Sequence, residues 1–115
     1  EHNVKVFLVN TGWSGGKYGV GSRIKLRYTR AMVDAALNGD LNNVQYTTDP
    51  IFHVSIPQSC SNVPQEILTP KNVWADKNDF DVTAKMLAGK FSEQFDKAYG
   101  SHGLDKEIVK QCPGK

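Results

Sequence analysis

The chain has 115 residues and a mass of 12.7 kDa, with 39% hydrophobic, 23% charged and 10% aromatic residues. That mixture excludes a disordered polymer, predicts one domain, and leaves too small a core to enclose a deep catalytic cavity as well, so a complete enzyme is not expected. The formal net charge of +2 is too weak to call for nucleic acid, although residues 1–33 set six basic side chains against Glu1 while residues 34–115 carry a net −3.

The elements follow in chain order. Val4-Lys5-Val6-Phe7-Leu8-Val9 is an apolar, β-rich run that predicts a strand covered on both faces. The lack of an initiator Met or a leading segment before it leads us to expect a chain cut from something longer. Residues 12–21, Gly-Trp-Ser-Gly-Gly-Lys-Tyr-Gly-Val-Gly, hold five of the ten glycines and predict a loop whose backbone can approach a ligand closely. Arg23 to Tyr28 alternates strictly and predicts a second extended segment, with Ile24, Leu26 and Tyr28 on one face and Arg23, Lys25 and Arg27 on the other.

Thr29 is the expected N-cap of a helix running to Asn38, with Met32, Ala35 and Ala36 inward and Gly39 at C′. Asp40 to Asp49 reads as polar loop. Phe52, Val54 and Ile56 alternate toward Pro57 as an edge strand, and residues 57–75, with Pro57, Pro64 and Pro70, read as a long irregular connection held by Trp74. The clearest helix starts near Asp76 or Asp79. Phe80, Ala84, Leu87, Phe91, Phe95 and Ala98 form its apolar face, and Gly100 ends it. Leu104, Ile108 and Val109 predict a short last helix in a tail, residues 100–115, whose structure the sequence leaves open.

No apolar stretch reaches the roughly 18 to 20 residues of a membrane span, and Glu-His-Asn-Val-Lys is not the start of a signal peptide, so neither a membrane nor a secretory route is expected. Cys60 and Cys112 have 51 residues between them and His2, His53 and His102 are scattered, so no metal site is predicted, and two free thiols point to the cytoplasm. Two phosphate rules fail in the glycine-rich loop. Ser22-Arg23 follows Gly16-Lys-Tyr-Gly-Val-Gly21 where a P-loop needs Lys-Ser or Lys-Thr, and Gly19-Val-Gly21 continues as Ser-Arg-Ile rather than closing G-x-G-x-x-G.

The run from Phe7 to Ala31, Phe-Leu-Val-Asn-Thr-Gly-Trp-Ser-Gly-Gly-Lys-Tyr-Gly-Val-Gly-Ser-Arg-Ile-Lys-Leu-Arg-Tyr-Thr-Arg-Ala, resembles the ATP-dependent phosphoenolpyruvate carboxykinases near their C-terminus. The likeness continues through Ala35 to Leu41, Asp49-Pro-Ile-Phe52, Ile56-Pro57, Val63-Pro64 and Pro70 to Lys77, and along the helix to about Tyr99. It implies an α/β fold, with residues 1–115 as one C-terminal segment of a mononucleotide-binding domain that has a mixed sheet and packed helices. It also implies a much longer parent that converts oxaloacetate and ATP into phosphoenolpyruvate, ADP and carbon dioxide in gluconeogenesis, with Mg and Mn.

The P-loop, the metal ligands and the substrate-carboxylate arginine of that family lie upstream, so no catalytic and no metal residue is assigned here. The isolated chain is expected to be inactive. By resemblance Arg23 and Ile24 align with contacts to the base and ribose of ATP, and Thr29 with a hydrogen-bonding position near the adenine. Arg23 has a planar guanidinium, Ile24 an apolar wall and Thr29 a hydroxyl, which suits those roles. Without the resemblance they read equally as a solvated cation, a core residue and a cap. Lys25, Arg27 and Arg30 receive no ligand role.

The chain departs from the family at Lys17, where Pro is common, at Ser22, where Lys is common, and at Cys60-Ser61-Asn62, where Cys-Pro-Gly is usual. Expected partners are ATP, oxaloacetate and the rest of the parent chain, with no nucleic acid and no membrane. A stand-alone anion-binding module, docking an acidic partner through its basic segment, is the alternative.

Overall fold

The computed structural model describes residues 2–115, in a mixed α/β arrangement of helices and small two-stranded sheets. The chain divides into two compact units. The first runs to Tyr46 and resumes over Pro57–Ala75, and the second comprises Thr47–Ile56 and Asp76–Lys115.

In the first unit, β1 (Trp13–Ser14) and β2 (Ser22–Arg23) form an antiparallel hairpin, and α1 (Leu26–Asn38) follows after two residues. The expected strand over Val4 to Val9 is not formed. The segment has no assigned secondary structure and pairs with no strand, with Val4, Val6 and Leu8 at 73%, 81% and 86% exposure. A strand exists only through backbone hydrogen bonds to a neighbouring strand, and among the described residues none pairs with this segment.

The extended stretch expected over Arg23 to Tyr28 is likewise cut short, because helix begins at Leu26. Lys25, not Thr29, is the N-cap; it is extended at φ −62° and ψ 133°, and its carbonyl accepts from the Tyr28 and Thr29 N–H groups at 2.9 and 3.4 Å. Three alternating residues are a weaker pattern than the helical spacing of Thr29, Met32, Ala35 and Ala36, all of which are buried or half-buried. Gly39 closes the helix in the left-handed region at φ 80°, as its sequence position predicts.

A 3₁₀ turn over Asp40–Asn42 buries Leu41, whose carbonyl accepts from the Tyr46 hydroxyl at 2.7 Å. The polar stretch expected to be loop also holds β3 (Tyr46–Thr48), which pairs with β4 (Ser55–Pro57). Residues 57–75 are not wholly irregular. They contain α2 (Gln65–Leu68) after Pro64 and a 3₁₀ turn over Pro70–Val73. Pro64 and Pro70 stand at helix starts, where a missing N–H has no bond to lose, while Pro57 ends β4.

In the second unit α3 (Lys77–Tyr99) is the long helix expected, capped by Asp76, whose carboxylate accepts from the Asn78 and Asp79 N–H groups at 2.8 and 3.2 Å. Its buried ridge is narrower than the spacing predicts. Ala84 and Ala88 are buried, whereas Leu87 and Phe91 stay partly exposed and Phe91 meets Phe52 edge-on at 6.5 Å. The tail adds α4 (Lys106–Lys110), capped by Asp105, and its end returns to α3 through Lys115 Nζ, which donates to Asp96 at 2.7 Å. Among the described residues no helix is long and apolar enough to cross a membrane.

Candidate functional site

The glycine-rich hairpin is built on backbone bonds. Lys17 O accepts from both Val20 N–H and Gly21 N–H at 2.9 Å, which folds the loop into a tight bend, and Asn10 Oδ1 steadies its base by accepting from Gly12 N–H at 2.8 Å. Gly21 has no room for a side chain, since a Cβ there would lie 2.5 Å from Ser14 O and 2.7 Å from Gly16 O. Two strands of only two residues therefore hold one register, Trp13 opposite Arg23 and Ser14 opposite Ser22.

Ile24 N–H donates to Gly12 O at 3.0 Å. This makes Gly12 and Ile24 a hydrogen-bonded pair and places Trp13 and Arg23 at the next, non-hydrogen-bonded position, where opposed side chains share a face and stand closest. On the loop, the Tyr18 ring meets the Trp13 indole edge-on, with centroids 5.0 Å apart and planes at 83°.

Arg23 is thus exposed at the end of β2 and Ile24 is half-buried beside it, held by backbone bonds of the hairpin. Thr29 stands apart from them. It lies inside the first turns of α1, at 8% exposure, so its hydroxyl is packed inward rather than displayed on the hairpin. Of the neighbouring cations, Arg27 is engaged locally: it donates to the Tyr28 hydroxyl at 2.8 Å and sits 4.8 Å from the centre of that ring.

Two cavities open elsewhere in the first unit. One, of about 510 Å³, runs along α1 and is lined by Arg27, Arg30, Asp34 and Asp40 among others. Two carboxylates offset its two guanidiniums, so it is a poor phosphate cradle, and none of Arg23, Ile24 or Thr29 lines it. The other, of about 250 Å³, lies beside Cys60. Burial pushes that thiol's pKa up and the Asp40 carboxylate adds to the effect, both favouring the protonated form. No group of three or more His, Cys, Asp or Glu among the described residues is placed to hold a metal ion.

Sequence reasoning gave Trp13 and Tyr18 no role. The signal was available in the hairpin register, because a turn centred between Lys17 and Gly19 sets Trp13 against Arg23.

A family model for phosphoenolpyruvate carboxykinase matches residues 1–66. Phosphoenolpyruvate carboxykinase (ATP) of Caldanaerobacter subterraneus subsp. tengcongensis is 60% identical over 97 residues, which is 84% of this chain and 19% of that protein. The enzyme of the same name from Brevibacillus brevis is 58% identical over 99 residues, 86% of this chain and 19% of the relative. That of Geobacillus thermodenitrificans is 59% identical over 97 residues, 84% and 18% respectively. The chain therefore spans about a fifth of the length of the curated relatives it matches.

Proposed function

The chain belongs to the phosphoenolpyruvate carboxykinase family, and from that membership we propose that it forms the adenine and ribose side of the ATP site of an ATP-dependent phosphoenolpyruvate carboxykinase. The parent enzyme converts oxaloacetate and ATP into phosphoenolpyruvate, ADP and carbon dioxide for gluconeogenesis in the cytoplasm. The observation that supports the assignment is the setting of Arg23: an exposed guanidinium, at a register fixed by the hairpin, one residue before the half-buried Ile24. A guanidinium plane stacks on a purine or donates to a ribose hydroxyl, and an aliphatic wall excludes water from the base edge.

ATP brings the phosphoryl group that is transferred; the residues of this chain hold its base end and so orient the remainder. Thr29 joins the site through the α1 backbone, which continues directly from the hairpin. Its buried hydroxyl reaches a nucleotide only where the base comes down against the first turns of α1. Magnesium or manganese, which the family implies, finds no ligand set among the described residues, and no step is assigned to a metal here. Transfer of a phosphoryl group is governed by positioning and charge stabilisation at the phosphates, which this segment does not supply. The isolated 115-residue chain is accordingly inert.

One set of kinetic assays tests this. In the full-length protein carrying this segment, Arg23→Ala is expected to raise the KM for ATP about tenfold or more, equivalent to losing a charge-assisted contact, while the KM for oxaloacetate stays within twofold. The isolated chain, assayed alongside, is expected to give no turnover. An unchanged KM for ATP, or turnover by the rigorously purified chain, contradicts the proposal.

A further inference from the structure

We propose that residues 111–115 are a clasp that seats on α3 at Ala88, Ser92 and Asp96 and holds the C-terminal half of that helix, opening and closing as a local unit. The clasp lies past Tyr99, beyond the motifs that carry the family likeness.

Its shape follows from the chain. α4 runs out in two last bonds, from Gln111 N–H to Ile108 O and from Cys112 N–H to Val109 O, each at 3.1 Å. Cys112 O then accepts from Lys115 N–H at 3.1 Å across Pro113 and Gly114, with Gly114 at φ 84°. Proline followed by a glycine at positive φ makes a type II turn, which reverses the chain. The reversal sets Gly114 down on α3.

Three contacts within the second unit carry the inference. A Cβ on Gly114 would lie 2.5 Å from Ala88 O and 3.1 Å from Ser92 Cβ, so the turn meets the helix at a distance only glycine allows. Ala88 beneath it is 4% exposed. Lys115 Nζ donates to Asp96 at 2.7 Å, and that lysine side chain is only 23% exposed against 66% for Lys110. Ala88, Ser92 and Asp96 recur at four-residue steps, so the turn follows one face of the helix. At its other end Gln111 O accepts from the ring of His53, whose Nδ1 is 3.4 Å away. His53 is itself set by Asp49, whose carboxylate accepts from the Ile51 and Phe52 N–H groups at 2.8 and 2.6 Å and whose carbonyl accepts from His53 N–H at 3.0 Å.

These contacts are weaker than the continuous bonding of the 23-residue α3, so the clasp opens before the helix does. Closed, it covers Ala88 and Ser92 and damps local opening of the helix around them.

Hydrogen exchange on the full-length protein carrying this segment, read by peptide mass spectrometry over residues 12–30, 86–99 and 106–115, tests this. Gly114→Ala puts a methyl group against Ala88 O and is expected to speed exchange in residues 106–115 about tenfold or more, the effect of overpacking a backbone contact. In residues 86–99 the same variant is expected to speed exchange about twofold or more. Lys115→Ala, which disturbs no backbone, is expected to speed exchange in residues 106–115 about two- to fivefold, the range of a partly exposed ion pair. Residues 12–30, in the first unit, are expected to keep the wild-type rate in both variants.

Wild-type rates over residues 106–115 in either variant overturn the inference, because a tail free in water accepts alanine without penalty. So does faster exchange there in Gly114→Ala with residues 86–99 unchanged, since the turn then holds nothing but itself. An equal acceleration over residues 12–30 overturns it as well, because it marks general unfolding rather than a local clasp.

Discussion

Gly21 is where the hairpin tolerates no alternative. A methyl group there would meet two backbone oxygens, Ser14 O and Gly16 O, at 2.5 and 2.7 Å, and neither can swing aside as a flexible side chain would. Gly21→Ala should therefore cost about 1–3 kcal/mol, the usual range for overpacking. Both tryptophans, Trp13 and Trp74, lie in the first unit, so urea unfolding followed by tryptophan fluorescence reads the loss directly. A midpoint equal to wild type would show that the loop relaxes without penalty. Arg23 shows the complementary case at this scale. Its exposed cationic side chain was expected from the sequence, but its register opposite Trp13 was not, because alternation along Arg23 to Tyr28 pointed to a long strand. The structure keeps only Arg23 of that stretch in β2, leaves Ile24 and Lys25 between the elements, and turns Leu26 to Tyr28 into helix.

At the scale of elements, the reliable signals were those with a backbone reason behind them. Asp76 before a long apolar periodicity, and Gly39 after a short one, each satisfy bonds that a helix end leaves open, and both stand where expected. Thr29 failed as a cap for a related reason: a hydroxyl four residues into a helix competes with nothing, since Lys25 O already accepts the first helical bonds. The prolines of residues 57–75 misled in the opposite direction. They break helices in the interior but begin them at the first turn, and Pro64 and Pro70 do the latter. The role of Asp76 can be measured. Asp76→Ala removes the acceptor for two α3 N–H groups and should lower stability by about 1 kcal/mol, with Asp76→Asn retaining most of it. Thermal unfolding followed by far-ultraviolet circular dichroism checks this, and equal midpoints for Asp76→Ala and wild type would contradict it.

At the scale of the whole molecule, the buried apolar residues are few and mostly small: Ala35, Leu41 and Val63 in the first unit, Ala84 and Ala88 in the second. Val4, Val6 and Leu8 remain in water although their pattern is that of a buried strand. This is why the sequence misled most at Val4 to Val9. Periodicity reports what a segment can do beside a neighbour, and pairing depends on whether that neighbour is there. The same distinction governs function. Family membership follows from a match over residues 1–66 and from relatives near 60% identity, whereas those matches assign no work on ATP to any one side chain, which is what the proposal for Arg23 adds. The most direct measurement is therefore one of place. The full-length protein carrying this segment, irradiated with an adenine-azido analogue of ATP and mapped by peptide mass spectrometry, is expected to carry the label within residues 12–30, with protection by excess ATP. Labelling that ATP protects but that lies wholly outside those residues would contradict the assignment of the base to this hairpin.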